Sequence, residues 1–388
     1  MTMFSTNSDH AEIEAVIASL NTGDSSAMEP LWLSYSNNMA RHAIAVSRHF
    51  QLSLMTMLTE EAGFSGLRLS FEPVIAALAR RRALIQQGDT RLYDFRPSEL
   101  ANQLGVSKQV CNQTINQLEA LDYVQRIADP RDGRARLLCL TNSGFRLALE
   151  GQNGIQKVAA DYANLLTVTQ STKAQSQSLT IFIQHLNALV KGLGLLTSQQ
   201  ALSSSPNDQL LGVLLPQLSH YFSQRLLTLT QLAGHRSITV AHGQVLALIG
   251  LDGGAIQSMA NTQNISKQAI SVMANDLEKL GYLSRSSQIT ANAKMVLFNF
   301  TEQGWQLMAD SMSAISTIEK EFIEILGAQA FKQLQQGFKT LYFGLKLEAE
   351  LLVNNKPAVN TSPDNLAKLV KQHYTPEQVS ELIRQLTI

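Results

Sequence analysis

The sequence predicts a mainly α-helical chain carrying two small β-hairpins and organised as two copies of one unit. Three observations carry that expectation. A chain of 388 residues exceeds one ordinary domain. With 45% hydrophobic and 16% charged residues, it is equipped to bury a core rather than to stay disordered. Above all, the chain repeats itself. Val106 to Arg126 reads VSKQVCNQTINQLEALDYVQR, and Ile265 to Arg285 reads ISKQAISVMANDLEKLGYLSR. An offset of 159 pairs Ser107, Lys108 and Gln109 with Ser266, Lys267 and Gln268, Asn116 with Asn275, Glu119 with Glu278, and Arg126 with Arg285. Thr141 to Gly144 matches Thr301 to Gly304 at an offset of 160, so one residue is inserted between Arg285 and Thr301. Register kept over so many positions marks a repeat.

Each copy reads alike. In the first, Phe71 to Ala79 is a short apolar helix, and Pro97 opens the next, which Ser98 is expected to cap. Leu100, Ala101 and Leu104 recur at helical spacing before Gly105 ends the run. Ser107 caps a third helix whose inward stripe is Val110, Cys111, Thr114, Ile115, Leu118 and Leu121. In the second copy, Ile256, Met259 and Ala260 precede a turn at Asn261 to Asn264. A helix capped by Ser266 follows, with Ala269, Ile270, Met273, Leu277 and Leu280 inward. Helix, tight turn and helix is the order of a helix-turn-helix.

A hairpin then follows in each copy. Tyr123 to Ile127 alternates and Arg136 to Leu140 returns, with turn formers and cations from Asp129 to Arg134 at the tip. In the second copy the return strand is Met295 to Phe300 and the tip Ser286 to Lys294. A hairpin behind the second helix of such a pair is a wing.

Charge and cysteine content exclude several classes. Lys plus Arg and Asp plus Glu both total 31, so bulk charge does not drive this chain onto nucleic acid or anionic membrane. Two cysteines make no disulfide framework, and Cys111 belongs to the inward stripe. Cys139 falls on the outward face of the returning strand, with nothing beside it in sequence to activate a thiolate. The opening residues lack a basic stretch, and no apolar run approaches the roughly 18 residues that span a bilayer. The expectation is a soluble, cytoplasmic protein. No phosphate loop or paired catalytic constellation is present, so no enzyme and no cofactor is expected. His42 with His49, and His235 with His242, are spaced seven apart, but without neighbouring carboxylate or thiolate ligands no metal site is expected.

The segment from Glu99 to Gly144 resembles the winged-helix core of MarR-type transcriptional regulators. It carries an ELA helix, a GVS turn, an LE pair closing the third helix, an arginine opening the wing, DxxDxR at its tip and LTxxG after it. The second copy follows the pattern in its helices and in Thr301 to Gly304, but its wing lacks the DxR pair. The resemblance extends over about residues 30–350 and is similar to the two-domain relatives of SarA. It implies tandem winged helix-turn-helix domains forming an intramolecular pseudo-dimer through a helical dimerisation layer. The domains would be 1–200, with its core at about 70–144, and 201–353, with its core at about 238–304. A helical tail, 354–388, completes the chain. Flanking helices are expected at Pro30 to Gln51, Gly144 to Leu165, Ser178 to Leu196, Gln209 to Ala233, Gly304 to Leu326 and Ala330 to Val353, with a linker from Ser198 to Asp208.

Candidate DNA-reading residues follow from chemistry. Short polar side chains opposite an apolar stripe reach base edges. The first copy offers Ser107, Lys108, Gln109, Asn112, Gln113 and Asn116, and the second Ser266, Lys267, Gln268, Ser271 and Asn275. Glutamine and asparagine can pair with adenine, and lysine with guanine or phosphate. In the first wing, Arg131 and Arg134 are set to enter the minor groove or meet phosphates, with Asp132 holding Arg134 extended, as the family uses its DxR pair. The second wing offers only Lys294. Arg80-Arg81-Arg82 touches the DNA backbone or ends a helix, and the sequence leaves both open. Met55, Met57, Phe64 and Phe71 are candidate pocket residues, and the resemblance implies a small aromatic effector. The functional expectation is sequence-specific binding of double-stranded DNA at an imperfect palindrome by a monomer acting as a pseudo-dimer, a homodimer being the alternative stoichiometry. The rival is a protein-interaction module without DNA binding.

Overall fold

The structure is a computed structural model and describes residues 28–86, 94–167, 172–196, 210–251, 253–263, 266–290 and 293–348. The expected linker and C-terminal tail lie outside the described residues. Two compact units result. Among the described residues, one comprises those within 33–236 and 309–347, and the other those within 28–32 and 237–308 together with residue 348.

The described chain opens with α1 (Met28–Ser36), whose residues 28–32 belong to the second unit, and α2 (Met39–Thr56), which lies in the first. A single helix was expected across Pro30 to Gln51, but the chain bends at Asn37. Asn38 takes an extended backbone and its Oδ1 accepts the Arg41 N–H at 2.9 Å, which starts a new helix there. A turn of π-helix, Met57–Glu61, extends α2, and a 3₁₀ turn at Leu69–Phe71 leads into α3 (Glu72–Gln86). That helix outruns its expected end at Ala79 and includes all three arginines.

Next come α4 (Pro97–Leu104), α5 (Lys108–Ala120), β1 (Val124–Asp129) and β2 (Asp132–Leu140). Ser98 does not cap α4. Arg96 is the N-cap residue, and Glu99 reaches back to accept the Arg96 N–H at 3.1 Å. Gly105 ends the helix in the left-handed conformation, φ 68°. Ser107 caps α5 as expected, accepting the Val110 N–H at 3.2 Å. Cys111, Ile115 and Leu118 are buried, while Thr114 and Leu121 are half-buried. Val110 is a correction. It is 52% exposed, because the buried face of α5 is centred on Cys111, Ile115 and Leu118 and Val110 lies beyond its edge. The strands reach further towards the tip than expected, pairing Val124 with Leu140 and Asp129 with Asp132, so the turn is only Pro130-Arg131. Phe95 bridges Leu138 at the edge of this hairpin.

The rest of the first unit is a helical layer of α6 (Asn142–Leu166), α7 (Thr172–Gly192) and α8 (Leu211–Leu232), joined by the C-terminal part of α12 (Glu302–Leu326) and by α13 (Ala328–Gly344). Helices flanking both sequence copies thus share one core. Phe50, Tyr162, Leu186, Phe222, Phe322 and Phe338 are all buried within it. Compactness therefore divides the chain differently from the repeat, because α8 and α13 pack against α2, α6 and α7, and α12 adds Ile315, Ile318 and Phe322 to the same core. Burial of this kind stabilises by roughly 25 cal/mol per Å² of apolar surface.

The second unit carries α9 (Val240–Leu246), β3 (Gly254–Ala255), α10 (Ile256–Gln263), α11 (Lys267–Lys279), β4 (Leu283–Thr290), β5 (Ala293–Phe300) and the start of α12. The turn expected from Asn261 begins later, since α10 runs through Gln263. Ser266 caps α11 at 3.2 Å from the Ala269 N–H. Ile270, Ala274 and Leu277 are buried, and Ala269, Met273 and Leu280 only half-buried. Ala274 replaces Met273 in the inward line because the buried face is centred one position further on. The strands again run closer to the tip than expected, pairing Leu283 with Phe300 and Thr290 with Ala293.

One close approach recurs in both units. The N–H of Thr141 bonds the Tyr123 carbonyl at 3.1 Å, and the N–H of Thr301 bonds the Tyr282 carbonyl at 3.1 Å. Gly144 and Gly304 pack directly on those two carbonyls. A Cβ would stand 2.0 Å from the Tyr123 oxygen and 2.2 Å from the Tyr282 oxygen, so only glycine fits.

Candidate nucleic-acid interface

On α5, residues Ser107, Lys108, Gln109, Asn112, Gln113 and Asn116 are all exposed, opposite the buried stripe. Val110 joins them as an apolar member the sequence reading had turned inward. On α11, Ser266, Lys267 and Gln268 are exposed, and Ser271 and Asn275 are half-buried. Each set lies on one helix, displayed by a serine cap and backed by a small apolar core.

Both helices are fixed to their hairpins by the same clamp. Arg126 of β1 pairs with Glu119 and donates Nη2–H to Asn116 Oδ1 at 2.9 Å. Arg285 of β4 donates to Glu278 at 2.7 Å and to Asn275 Oδ1 at 2.6 Å. The sequence marks these residues as repeat matches, and Asn116 and Asn275 also as candidate DNA readers, but not as partners of one another. Their preservation as triplets at one offset was the available signal for the clamp.

The first wing is organised around Asp129, whose side chain is fully shielded from solvent. Arg96 reaches it at 2.6 Å, and Arg131 binds it at 2.9 Å through both its Nε and its Nη2. Hydrogen bonds from the Arg131 side chain, more than offsetting burial, hold the Asp129 carboxyl well below the usual carboxylate range. Arg131 is thereby a strut of the wing rather than a free cation at its tip. Asp132 accepts the Arg134 backbone N–H at 3.1 Å and lies 3.6 Å from Arg96, so it fixes the Arg134 main chain and not its guanidinium. The Arg134 side chain is exposed and has no ion-pair partner among the described residues. The side chain of Lys294 lies outside the described ones.

The triple arginine does not end a helix, since it lies before the last turn of α3. Arg81 stacks over the Phe95 ring at 3.8 Å, and Arg82 pairs with Asp94 at 3.5 Å. Arg80 lines a cavity. That cavity, about 300 Å³ and mainly apolar, lies within the first unit between α2, α3, α6 and α8. Met55 and Phe71 line it, whereas Met57 and Phe64 do not. Glu72 and Arg80 supply opposite charges at its wall.

The remaining titratable groups are accounted for by packing. Cys111 is buried, and burial pushes its thiol up. Cys139 is half-buried and donates to Asp94 Oδ2 at 3.1 Å; burial and that carboxylate push its thiol up to about 12. His49 Nδ1 lies 3.2 Å from the Tyr162 hydroxyl, and His42 stacks on Tyr342 at a centroid distance of 4.5 Å. His235 pairs with Asp310 at 2.9 Å and His242 with Asp276 at 3.3 Å. Among the described residues no group of three His, Cys, Asp or Glu side chains is placed to hold a metal. Among them also, no helix is long and apolar enough to cross a membrane.

Two polar helices, each locked to a hairpin behind it, define a winged helix-turn-helix protein. Residues 82–135, which take in the helix-turn-helix and part of the wing of the first copy, match the model of the MarR family. Solved structures similar to parts of the chain include a MarR-family transcriptional regulator from Rhodococcus sp. RHA1, 19% identical, covering 37% of this chain and 98% of that one with a TM-score of 0.30. YusO from Bacillus subtilis is 20% identical, covering 31% and 75%, with a TM-score of 0.25. The adhesin competence repressor AdcR of Streptococcus pyogenes is 18% identical, covering 36% and 92%, with a TM-score of 0.23. No curated protein matches the chain.

Proposed function

We propose that the chain is a sequence-specific transcriptional regulator that reads double-stranded DNA with both α5 and α11, one chain serving as a pseudo-dimer. The observation that carries this reading is the α5 face. Six polar side chains there stand exposed on a capped helix, beside a wing whose Arg134 is left for the duplex. A helix of this kind lies in a major groove with its N-terminal residues on base edges, and a wing arginine reaches the adjacent minor groove or backbone. Because α5 and α11 present different side chains, the two half-sites differ, and the operator is an imperfect palindrome.

Selection of duplexes from a random pool, followed by gel shift, tests this. Arg134→Ala and Lys108→Ala should each weaken binding, and a lost phosphate contact should lower the salt slope by about one. Binding that is unaffected by either substitution would contradict it.

The cavity favours a second element of function, response to a small aromatic effector. Its apolar wall, with Glu72 and Arg80 at the edge, suits a ring bearing one polar group. Thermal-shift screening of aromatic acids and phenols, followed by release of DNA, tests that element.

A further inference from the structure

The outward face of α11 carries an apolar side chain at its centre. Ile270, Ala274 and Leu277 are the buried line of the helix, and the 3.6-residue period puts Val272 almost directly opposite them. Val272 is 62% exposed. Its neighbours three and four positions away are Gln268, Ala269, Asn275 and Asp276. Two of these are drawn aside. The Asn275 carbonyl accepts from Arg285 at 2.6 Å, and the Asp276 carboxylate stands 3.3 Å from His242 Nε2. A β-branched residue with most of its surface in water adds little to the helix it sits on. The first copy does not share it. At the offset of 159 the counterpart of Val272 on α5 is Gln113, which is also exposed.

A major groove offers valine one apolar group. Purine edges show N7 with an amino or keto group and cytosine an amino group, whereas thymine adds a C5-methyl to its O4 acceptor. Valine neither donates nor accepts through its side chain. Against a purine edge it would strip water from polar atoms and replace nothing, while against thymine it covers a methyl with methyls. A lone valine among polar side chains is a poor anchor for a protein partner, where aromatic residues and arginine dominate. We propose that Val272 is a specificity-determining residue of α11, packing on the C5-methyl of a thymine at the step where Gln113 of α5 forms hydrogen bonds in the other half-site. This inference rests on the DNA-binding reading above and names the step at which the two half-sites differ.

The test uses the full chain and the duplex that the wild-type chain selects from a random pool. Footprinting with Lys267→Ala identifies the α11 half-site as the groove whose protection weakens. Each thymine in that half-site is then replaced in turn by deoxyuridine, which removes the methyl and leaves the base pairing intact. One replacement should weaken wild-type binding roughly fourfold, the effect of one buried methyl. Val272→Ser has a similar helix propensity, so it should melt as wild type and bind the thymine and uracil duplexes nearly equally. Val272→Gln, put through the same selection, should lose the thymine and take the base that Gln113 selects in the other half-site. Uracil that is silent at every position of the α11 half-site would overturn the proposal. So would a Val272→Ser chain that still distinguishes thymine from uracil as wild type does, or a Val272→Gln chain that selects an unchanged site. If no duplex is bound, or if Lys267→Ala alters no footprint, the reading of DNA by α11 fails and this inference falls with it, an outcome the footprint separates from the others.

Discussion

Arg96, at the start of α4, and Asp129, at the tip of the first wing, are joined at 2.6 Å across 33 positions of sequence. The wing is therefore anchored to the helix-turn-helix from its far end as well as from its base. Arg96→Ala leaves Asp129 with Arg131 alone. Amide exchange at Asp132 to Arg136 should speed up, and affinity for the selected duplex should fall roughly three- to tenfold. Unchanged exchange in that hairpin would show that Arg131 suffices.

A methyl group at Gly144 or Gly304 would collide with a backbone carbonyl that cannot move without breaking the hairpin. Gly144→Ala and Gly304→Ala should each destabilise by about 2–5 kcal/mol, read as lowered thermal or denaturant midpoints. Because the two sites lie in different compact units, each change should loosen its own hairpin and leave the other's exchange rates intact.

Gly151 makes the opposite case. It lies inside α6, and a Cβ there meets no atom within 4 Å. Gly151→Ala should stabilise the chain by about 0.5–1 kcal/mol through helix propensity alone. The same residue lines the cavity, so Gly151→Leu should retain DNA binding while blunting any effector response. Equal effector response in both variants would exclude that cavity as the binding place.

His42 supplies a pH prediction. It is 2% exposed, neither ring nitrogen has a partner, and burial, with Lys339 and Arg41 nearby, lowers its pKa to about 4 from 6.5. The unfolded chain therefore takes up a proton at higher pH than the folded one. Stability is complete above pH 6.5, falls as the pH drops towards 4 and levels off below that. The loss amounts to roughly 3 kcal/mol at most. His42→Phe keeps the stacking on Tyr342 and should flatten this part of the stability profile. An unchanged profile would mean that the imidazole is solvated.

Much of this architecture was legible because it rests on local rules. Ser107 and Ser266 cap as their position predicts, Gly105 ends α4, and the buried residues of α5 follow the 3.6-residue period from Cys111 onward. Val110 was misplaced because periodicity gives a face but not its width, and Val110 falls just outside the stripe of Cys111, Ile115 and Leu118. The partners of Arg131 and of the triple arginine were hidden for another reason. A cation in sequence carries no sign of whether a carboxylate or ring lies beside it in space, and Asp129, Phe95 and Asp94 supply those partners only once the hairpin has closed. The compact units were also hidden, since α8, α12 and α13 read as flanks of the second copy while their stripes fit a core centred on α2, α6 and α7.

The most direct measurement is the mass of the complex between the chain and its selected duplex, combined with hydroxyl-radical footprinting. The account predicts one chain per duplex, with two protected grooves about 10 bp apart and unlike in sequence. It also predicts that Lys108→Ala weakens protection of one groove and Lys267→Ala that of the other. Two chains on a symmetric site, with Lys267→Ala silent, would contradict it.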